Sequence, residues 1–225
     1  MNLWNTFLID PLTSALFFLY QNLGQNLGLA IIALTLGLRI LLFPLALPAI
    51  RSTKVQQELK PELDKIKKKY KGDRQKMSVA QMELFKKRGV NPFAGCLPQI
   101  LQLVILIALY RVFIVNLGNG ALDPHFLIWD LSVRDRYLIL PILAAAVQFF
   151  LSKMTLPQVS EEHKAAHEAG GREEDFATAF QRQNLYIFPI LTLILGFQFP
   201  AGLMLYWLVS SLIQLLQQWV TVRIL

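Results

Sequence analysis

The chain has 225 residues, of which 54% are hydrophobic and 16% charged, with a formal net charge of +7. Ordinary soluble domains run at about 45 to 50% apolar, and this chain carries five long apolar stretches, so the composition excludes a simple soluble domain and points to a polytopic helical membrane protein. The single Cys96 excludes an internal disulfide and any metal site built from cysteines.

Residues 1–26 precede the first candidate span. Leu12, Ala15, Leu16, Leu19 and Leu23 recur at helical spacing among polar Asp10, Thr13, Gln21 and Asn22. This pattern predicts an extracytoplasmic amphipathic helix on a membrane surface, with Trp4 and Tyr20 at the interface. Asp10-Pro11 and the Asn/Gln/Gly cluster at 21–26 argue against a sixth span. No Lys or Arg precedes Arg39, so neither a secretory signal nor an organelle transit peptide is expected. The lack of a cysteine near the start likewise gives no support for lipid anchoring there.

The first span is placed at 27–48. Its stretch Leu27 to Leu47 would be about 31 Å long as a helix and contains one charge, Arg39. The Arg39 Cα would lie about 12 Å from the Leu47 end. Pro44 and Pro48 are expected to loosen that end. Insertion scales set the cost of such a guanidinium at about 2.5 to 3.5 kcal/mol.

Residues 49–91 change character, with thirteen Lys/Arg against five Asp/Glu. The stripe Val55, Leu59, Leu63, Ile66, Tyr70, the stop at Gly72 and a second helix from Arg74 to Arg88 predict a basic helical hairpin. Its charge makes it cytoplasmic by the positive-inside rule. That charge is explained by topology alone or by an added role in binding ribosome or anionic lipid.

The second span, 92–115, opens on Asn91-Pro92, a capping residue followed by proline at the first helical position. A loop at 116–136 lies outside, the third span covers 137–154, and a polar cytoplasmic loop follows at 155–183. The fourth and fifth spans occupy 184–199 and 201–222. The expected fold class is therefore all-α, five transmembrane helices, N-terminus out and C-terminus in, with a cytoplasmic hairpin and an N-terminal amphipathic helix.

This topology brings polar groups on four spans to the inner half of the membrane: Arg39, Gln99, Gln102, Gln148 and Gln214. Trp207, Ser211, Gln214 and Gln218 share one face of the fifth span. The outer half offers little but hydrocarbon. Glutamines in membrane helices often serve as hydrogen-bonding glue between helices, worth about 0.6 to 2 kcal/mol. Arg39 is different, because no proposed span holds an acid to pair with it. A solvated cavity open to the cytoplasm is the cheaper solution. His163 and His167 are spaced i, i+4 but lack the intervening Glu of a zinc-protease helix, and the spans hold neither a nucleophilic triad nor a carboxylate dyad. No enzyme activity, cofactor or metal is expected.

Several motifs resemble those of the YidC/Oxa/Alb membrane-protein insertases. They are Gly89-Val90-Asn91-Pro92 with Gly95-Cys96-Leu97-Pro98-Gln99, Gln102 and Ala108-Leu109-Tyr110; Trp129-Asp130-Leu131-Ser132 before Leu140-Pro141-Ile142-Leu143; and Phe199-Pro200-Ala201-Gly202-Leu203 through Leu205-Tyr206-Trp207. Arg39 stands at the place of that family's groove arginine. The resemblance covers about Ile9 to Trp219 and is that of a short bacterial YidC-like member. Ser210-Ser211 stand where many relatives carry Asn, and Arg134 and Arg136 replace a usual Pro-containing run.

The resemblance implies an insertase and chaperone of the bacterial plasma (inner) membrane, working through a hydrophilic groove open to cytoplasm and lipid. The expected groove residues are Arg39, Gln99, Gln102, Gln148, Trp207, Ser211 and Gln214. Expected partners are nascent membrane proteins with short acidic outer segments, the lipid bilayer, and a ribosome or Sec-type translocon, with no nucleic acid outside the ribosome. A small anion or metabolite transporter using Arg39 as its binding cation is the alternative, weakened by the lack of an inverted repeat. A purely structural assembly subunit is the third reading.

Overall fold

The computed structural model describes residues 3–70, 72–89, 97–118, 120, 122–155 and 176–224. A π-helical turn, Asn5–Ile9, runs directly into α1, Asp10–Asn22, with Pro11 in the first turn, where its missing N–H costs nothing. Asp10-Pro11 therefore starts a helix rather than cutting one. Leu12, Leu16 and Tyr20 are buried against the bundle, so one face of α1 packs on protein.

Helix α2, Leu27–Glu58, is capped by the Asn26 side chain, which accepts from the Leu29 N–H at 3.0 Å. It continues through Pro44 and Pro48, ten residues beyond the expected end of the first span. Each proline removes one backbone bond, yet neither breaks the helix. At about 48 Å, α2 is longer than the ~30 Å hydrocarbon core of a bilayer. Its last turns, bearing Arg51 and Lys54, therefore carry the start of the basic segment that had been assigned to the hairpin.

The hairpin consists of α3, Lys60–Lys69, and α4, Arg74–Lys87. Gly72 takes a φ of +92° at the turn, a conformation that favours glycine. Asp73 caps α4 by accepting from the Lys76 N–H at 3.0 Å, and Arg88 pairs with Glu62 to tie the two helices together. At the base, Gln57 Nε2 donates to the Met154 carbonyl at 2.7 Å, joining the end of α2 to the end of α6.

The remaining helices are α5, Leu97–Gly118; α6, Ile139–Thr155; α7, Phe176–Gly196; and α8, Ala201–Ile224. Helix α6 packs on both α7 and α8, and α2 packs on α8. The Asn91-Pro92 helix start and the His163/His167 pair lie outside the described residues. Helices α2 and α8 are long and apolar enough to cross a membrane, while the apolar parts of α5, α6 and α7 are shorter, at Ile100–Asn116, Ile139–Met154 and Leu185–Gly196. All five present exposed large apolar side chains, among them Ile40, Leu41, Ile107, Ile142, Phe150, Ile190, Ile194 and Leu216. Exposed apolar surface on this scale suits lipid rather than water.

The tightly packed core lies at one end of the bundle. It is built from Leu27 to Leu34 of α2, Ile105 to Phe113 of α5, Leu140 and Ala144 of α6, and Ala201 to Leu208 of α8. The loop between α5 and α6 closes that end. Its strands, β1 at His125–Phe126 and β2 at Trp129–Asp130, pair antiparallel. Buried Asp135 accepts from Trp129 Nε1 at 3.0 Å, from the Tyr137 N–H at 2.9 Å and from the Leu140 N–H at 2.8 Å, so one carboxylate caps α6 and fixes the loop's tryptophan. The loop is also stitched to α8, with Ala201 N–H donating to the Val133 carbonyl at 2.7 Å and Gly202 N–H to the Leu131 carbonyl at 3.0 Å. The Tyr20 hydroxyl accepts from the Asp123 N–H at 2.9 Å, tying α1 to the same loop.

Gly28 is required by the close approach of Phe126, because a Cβ there would lie 2.1 Å from the ring. Gly28→Ala is expected to destabilise the protein by about 1 to 3 kcal/mol through overpacking. Phe126→Ala in the same chain should restore part of the loss, read as the thermal unfolding midpoint in detergent.

His125 Nδ1 lies 2.8 Å from the Asp123 carboxylate, whose hydrogen bond and charge raise the imidazole pKa. The His125 N–H bond to Asp123, followed by the ring itself, lowers that carboxylate's pKa. A raised histidine pKa means the pair's contribution is fully present below the unfolded value of about 6.5 and is lost as pH climbs through the folded value. NMR titration should place the His125 midpoint above 6.5, and Asp123→Asn should bring it back down.

Candidate functional site

One turn below the packed core, the same three helices part around a cavity of about 160 Å³. Helix α2 contributes Thr35, Leu38, Arg39, Leu42, Leu45 and Ala46; α5 contributes Leu101, Gln102 and Ile105; α8 contributes Tyr206, Ser210 and Gln217. The α2 residues follow i, i+3, i+4, i+7 spacing from Thr35, which puts them on one helical face with the arginine. The walls are mostly aliphatic, and the polar groups converge on Arg39.

Arg39 is held by neutral groups alone. Its Nε donates to Ser210 Oγ at 2.8 Å, and Nη2 donates to Gln102 Oε1 at 2.8 Å and Gln214 Oε1 at 3.2 Å. Ser210 Oγ donates onward to Gln102 Oε1 at 2.9 Å, which closes a ring of Arg39, Ser210 and Gln102. The hydroxyl thus accepts from the cation and passes its own proton to the amide oxygen, an arrangement in which each bond polarises the next. Among the described residues no carboxylate pairs with Arg39. Among the described residues Nη1 has no hydrogen-bond partner, so the guanidinium of this cavity-lining arginine keeps donors to spare.

Gln102 carries a second unspent donor. Its residue is 6% exposed, and its Nε2 is buried without a hydrogen-bond partner while Oε1 accepts twice. A buried amide N–H left unpaired costs about 1 to 3 kcal/mol, which a water or ligand carbonyl in the adjoining cavity would recover. The site can therefore hold an anion at Nη1 and accept a hydrogen-bonding group at Gln102.

Arg39, Gln102 and Gln214, three of the residues expected from the sequence, come together here. Trp207 and Ser211 are buried on α8 at 5% and 3% exposure but do not line the cavity, and Gln148 is buried on α6, likewise away from the lining. The Gln99 side chain lies outside the described residues. Ser210, Tyr206, Gln217 and Thr35 enter as residues the sequence reading did not select. On α8 two polar stripes share Gln214: Trp207, Ser211, Gln214, Gln218 and Tyr206, Ser210, Gln214, Gln217. One residue, about 100° of rotation, separates them. The second stripe meets Arg39, and only the packing of α2 on α8 distinguishes it from the first.

The sequence model of a family described as "60Kd inner membrane protein" matches residues 18–225. The membrane protein insertase YidC of Campylobacter jejuni is 39% identical over 221 residues, 98% of this chain and 38% of its own length. The membrane protein insertase MisCA of Bacillus subtilis is 34% identical over 219 residues, covering 95% of this chain and 77% of MisCA. An insertase crystal structure described as active YidC with its first transmembrane domain resolved aligns at a TM-score of 0.67 and 28% identity, across 96% of this chain and 46% of that one. The chain thus spans 38% of the Campylobacter relative and just under half of the solved structure.

Ser210→Ala removes the acceptor for Arg39 Nε and the donor to Gln102 together. It is expected to cost about 1 to 3 kcal/mol of stability, since a bond to a charged group is lost in a half-buried setting. Gln102→Leu removes the unpaired amide along with its two bonds and should cost less than breaking those two bonds separately. Thermal unfolding of the two single variants and the double variant reads the coupling between them.

Proposed function

We propose, since this chain belongs to the YidC/Oxa/Alb family of membrane-protein insertases, that it inserts small membrane proteins and helps them fold in a bacterial plasma (inner) membrane. In this reading the apolar helices α2, α5, α6, α7 and α8 are five spans, with the N-terminus outside and the C-terminus and hairpin in the cytoplasm. The observation that carries the reading is the Arg39 guanidinium, which has no counter-ion among the described residues, keeps donors to spare and lines a cavity among apolar helices.

A substrate's short acidic outer segment enters from the cytoplasm and is held transiently by Nη1 of Arg39. Gln102 Nε2 satisfies a backbone carbonyl of the same segment, and Ser210 and Gln214 keep the guanidinium oriented. A solvated cavity shortens the dry path that polar chain must cross, and so lowers its desolvation cost. The packed core and the outer loop seal the far side. The substrate's apolar segment then partitions into lipid along α6 and α8, which drives release without an external energy source. The basic hairpin recruits substrate, ribosome or translocon, or guards the entrance. The transporter alternative has no support among the relatives described above, each of which carries an insertase name.

Arg39→Ala should reduce insertion of a substrate with an acidic outer tail about tenfold or more in reconstituted vesicles, the effect of losing ~1.4 kcal/mol or more of charge attraction. A substrate with a neutral tail should lose much less. Arg39→Lys should recover part of the activity if charge rather than the planar fork is what matters. Full activity of the folded Ala variant on both substrates would overturn the lure, and solute flux in place of insertion would favour transport.

A further inference from the structure

The segment Val133 to Tyr137, between β2 and α6, presents two arginines that no carboxylate pairs with among the described residues. Arg134 and Arg136 are both exposed, on either side of buried Asp135. The three acids of this loop are already engaged. Asp123 pairs with His125, Asp130 accepts from the Ser132 N–H and hydroxyl, and Asp135 accepts from Trp129, Tyr137 and Leu140. Among the described residues neither arginine makes an ion pair.

The backbone that carries these arginines is fixed. Arg134 bridges Pro200, Ala201 N–H binds the Val133 carbonyl at 2.7 Å, and the Asp135 carboxylate holds the chain on the α6 side. The residues flanking the two cations in sequence are exposed and apolar, Val133 at 55% and Tyr137 at 58%, and elsewhere in the same loop the β1–β2 tip exposes Leu127 at 81% and Ile128 at 60%. The exposed apolar face of α6 begins just after, at Ile139, Ile142 and Leu143. Arg136 and Tyr137 lie three and two residues before the start of α6 at Ile139, at headgroup depth if α6 enters hydrocarbon.

We propose that Arg134 and Arg136 form an anionic-phospholipid site in the leaflet bordering this loop. The guanidinium groups bind headgroup phosphate, and Val133, Tyr137, Leu127 and Ile128 sit among the upper acyl segments. Phosphate is the fitting anion because arginine presents paired donors to it, and a lipid accounts for the apolar neighbours that a free anion or an acidic peptide leaves unexplained. The site would anchor the outer ends of α6 and α8, the pair along which substrate is proposed to leave. The inference rests on the bilayer placement proposed above.

The test places a photo-crosslinking amino acid at Tyr137 in the full chain, reconstituted in vesicles of equal phosphatidylglycerol and phosphatidylcholine. Phosphatidylglycerol adducts should exceed phosphatidylcholine adducts about tenfold. The excess should fall towards equality in R134Q/R136Q and largely survive in R134K/R136K. Should the glutamine variant fail to fold, added salt should erode the excess in the unaltered pair. Equal capture of the two lipids, or an excess that ignores both charge and salt, overturns the site. A crosslinker at Ile142 serves as the reference. Lipid capture there with none at 137 overturns this site alone, whereas no lipid at either position overturns the bilayer placement itself. Capture of a protein at 137 in native membranes, without lipid, also overturns the site and assigns the surface to a protein partner.

Discussion

A guanidinium that carries charge with no opposing carboxylate among the described residues is the constraint around which this bundle is arranged. Arg39 remains ionised under all ordinary conditions, so burial cannot be relieved by losing the proton. The protein meets this with dipoles in place of a counter-ion: a hydroxyl and two amide oxygens from α5 and α8. Neutral acceptors steady the cation without cancelling it, and its field remains available to a visitor. A buried Asp or Glu in their place would satisfy Arg39 more completely and leave less to attract an incoming anion.

The rest of the architecture keeps such a site from becoming a leak or a collapse. Above the cavity, α2, α5 and α8 close on one another through Ile31, Leu109, Phe113, Leu203, Met204 and Tyr206, all nearly inaccessible. Below it, the aliphatic lining and the longer polar side chains hold the helices apart. The loop between α5 and α6 completes the closure because one carboxylate, Asp135, satisfies a tryptophan and the first turn of α6 at once. Gly28 and Gly202 let the loop lie close against helix backbone.

The basic hairpin belongs to a different energetic regime. Its capping and ion-pair contacts, Asp73 with Lys76 and Arg88 with Glu62, are exposed and screened by salt. It continues from the bundle through helix α2, the Gln57 bond to Met154 is among the contacts at its base, and Leu59, Met77 and Gln81 are buried.

Much of this was legible in the sequence, for reasons that can be stated residue by residue. Apolar runs longer than a soluble helix needs, one arginine within them and a basic block after them pointed to a predominantly helical chain and set Arg39 apart. Each of these depends only on local composition and on the cost of charge in hydrocarbon. The sequence could not choose between Ser210 and Ser211, or between Tyr206 and Trp207. Those pairs differ by a single step of helix rotation, and which face of α8 meets α2 is set by how side chains from distant helices interlock. Nor could it show that α2 runs unbroken through two prolines, or that Gln102 keeps one amide proton unspent, since both are consequences of neighbours brought together only when the bundle packs.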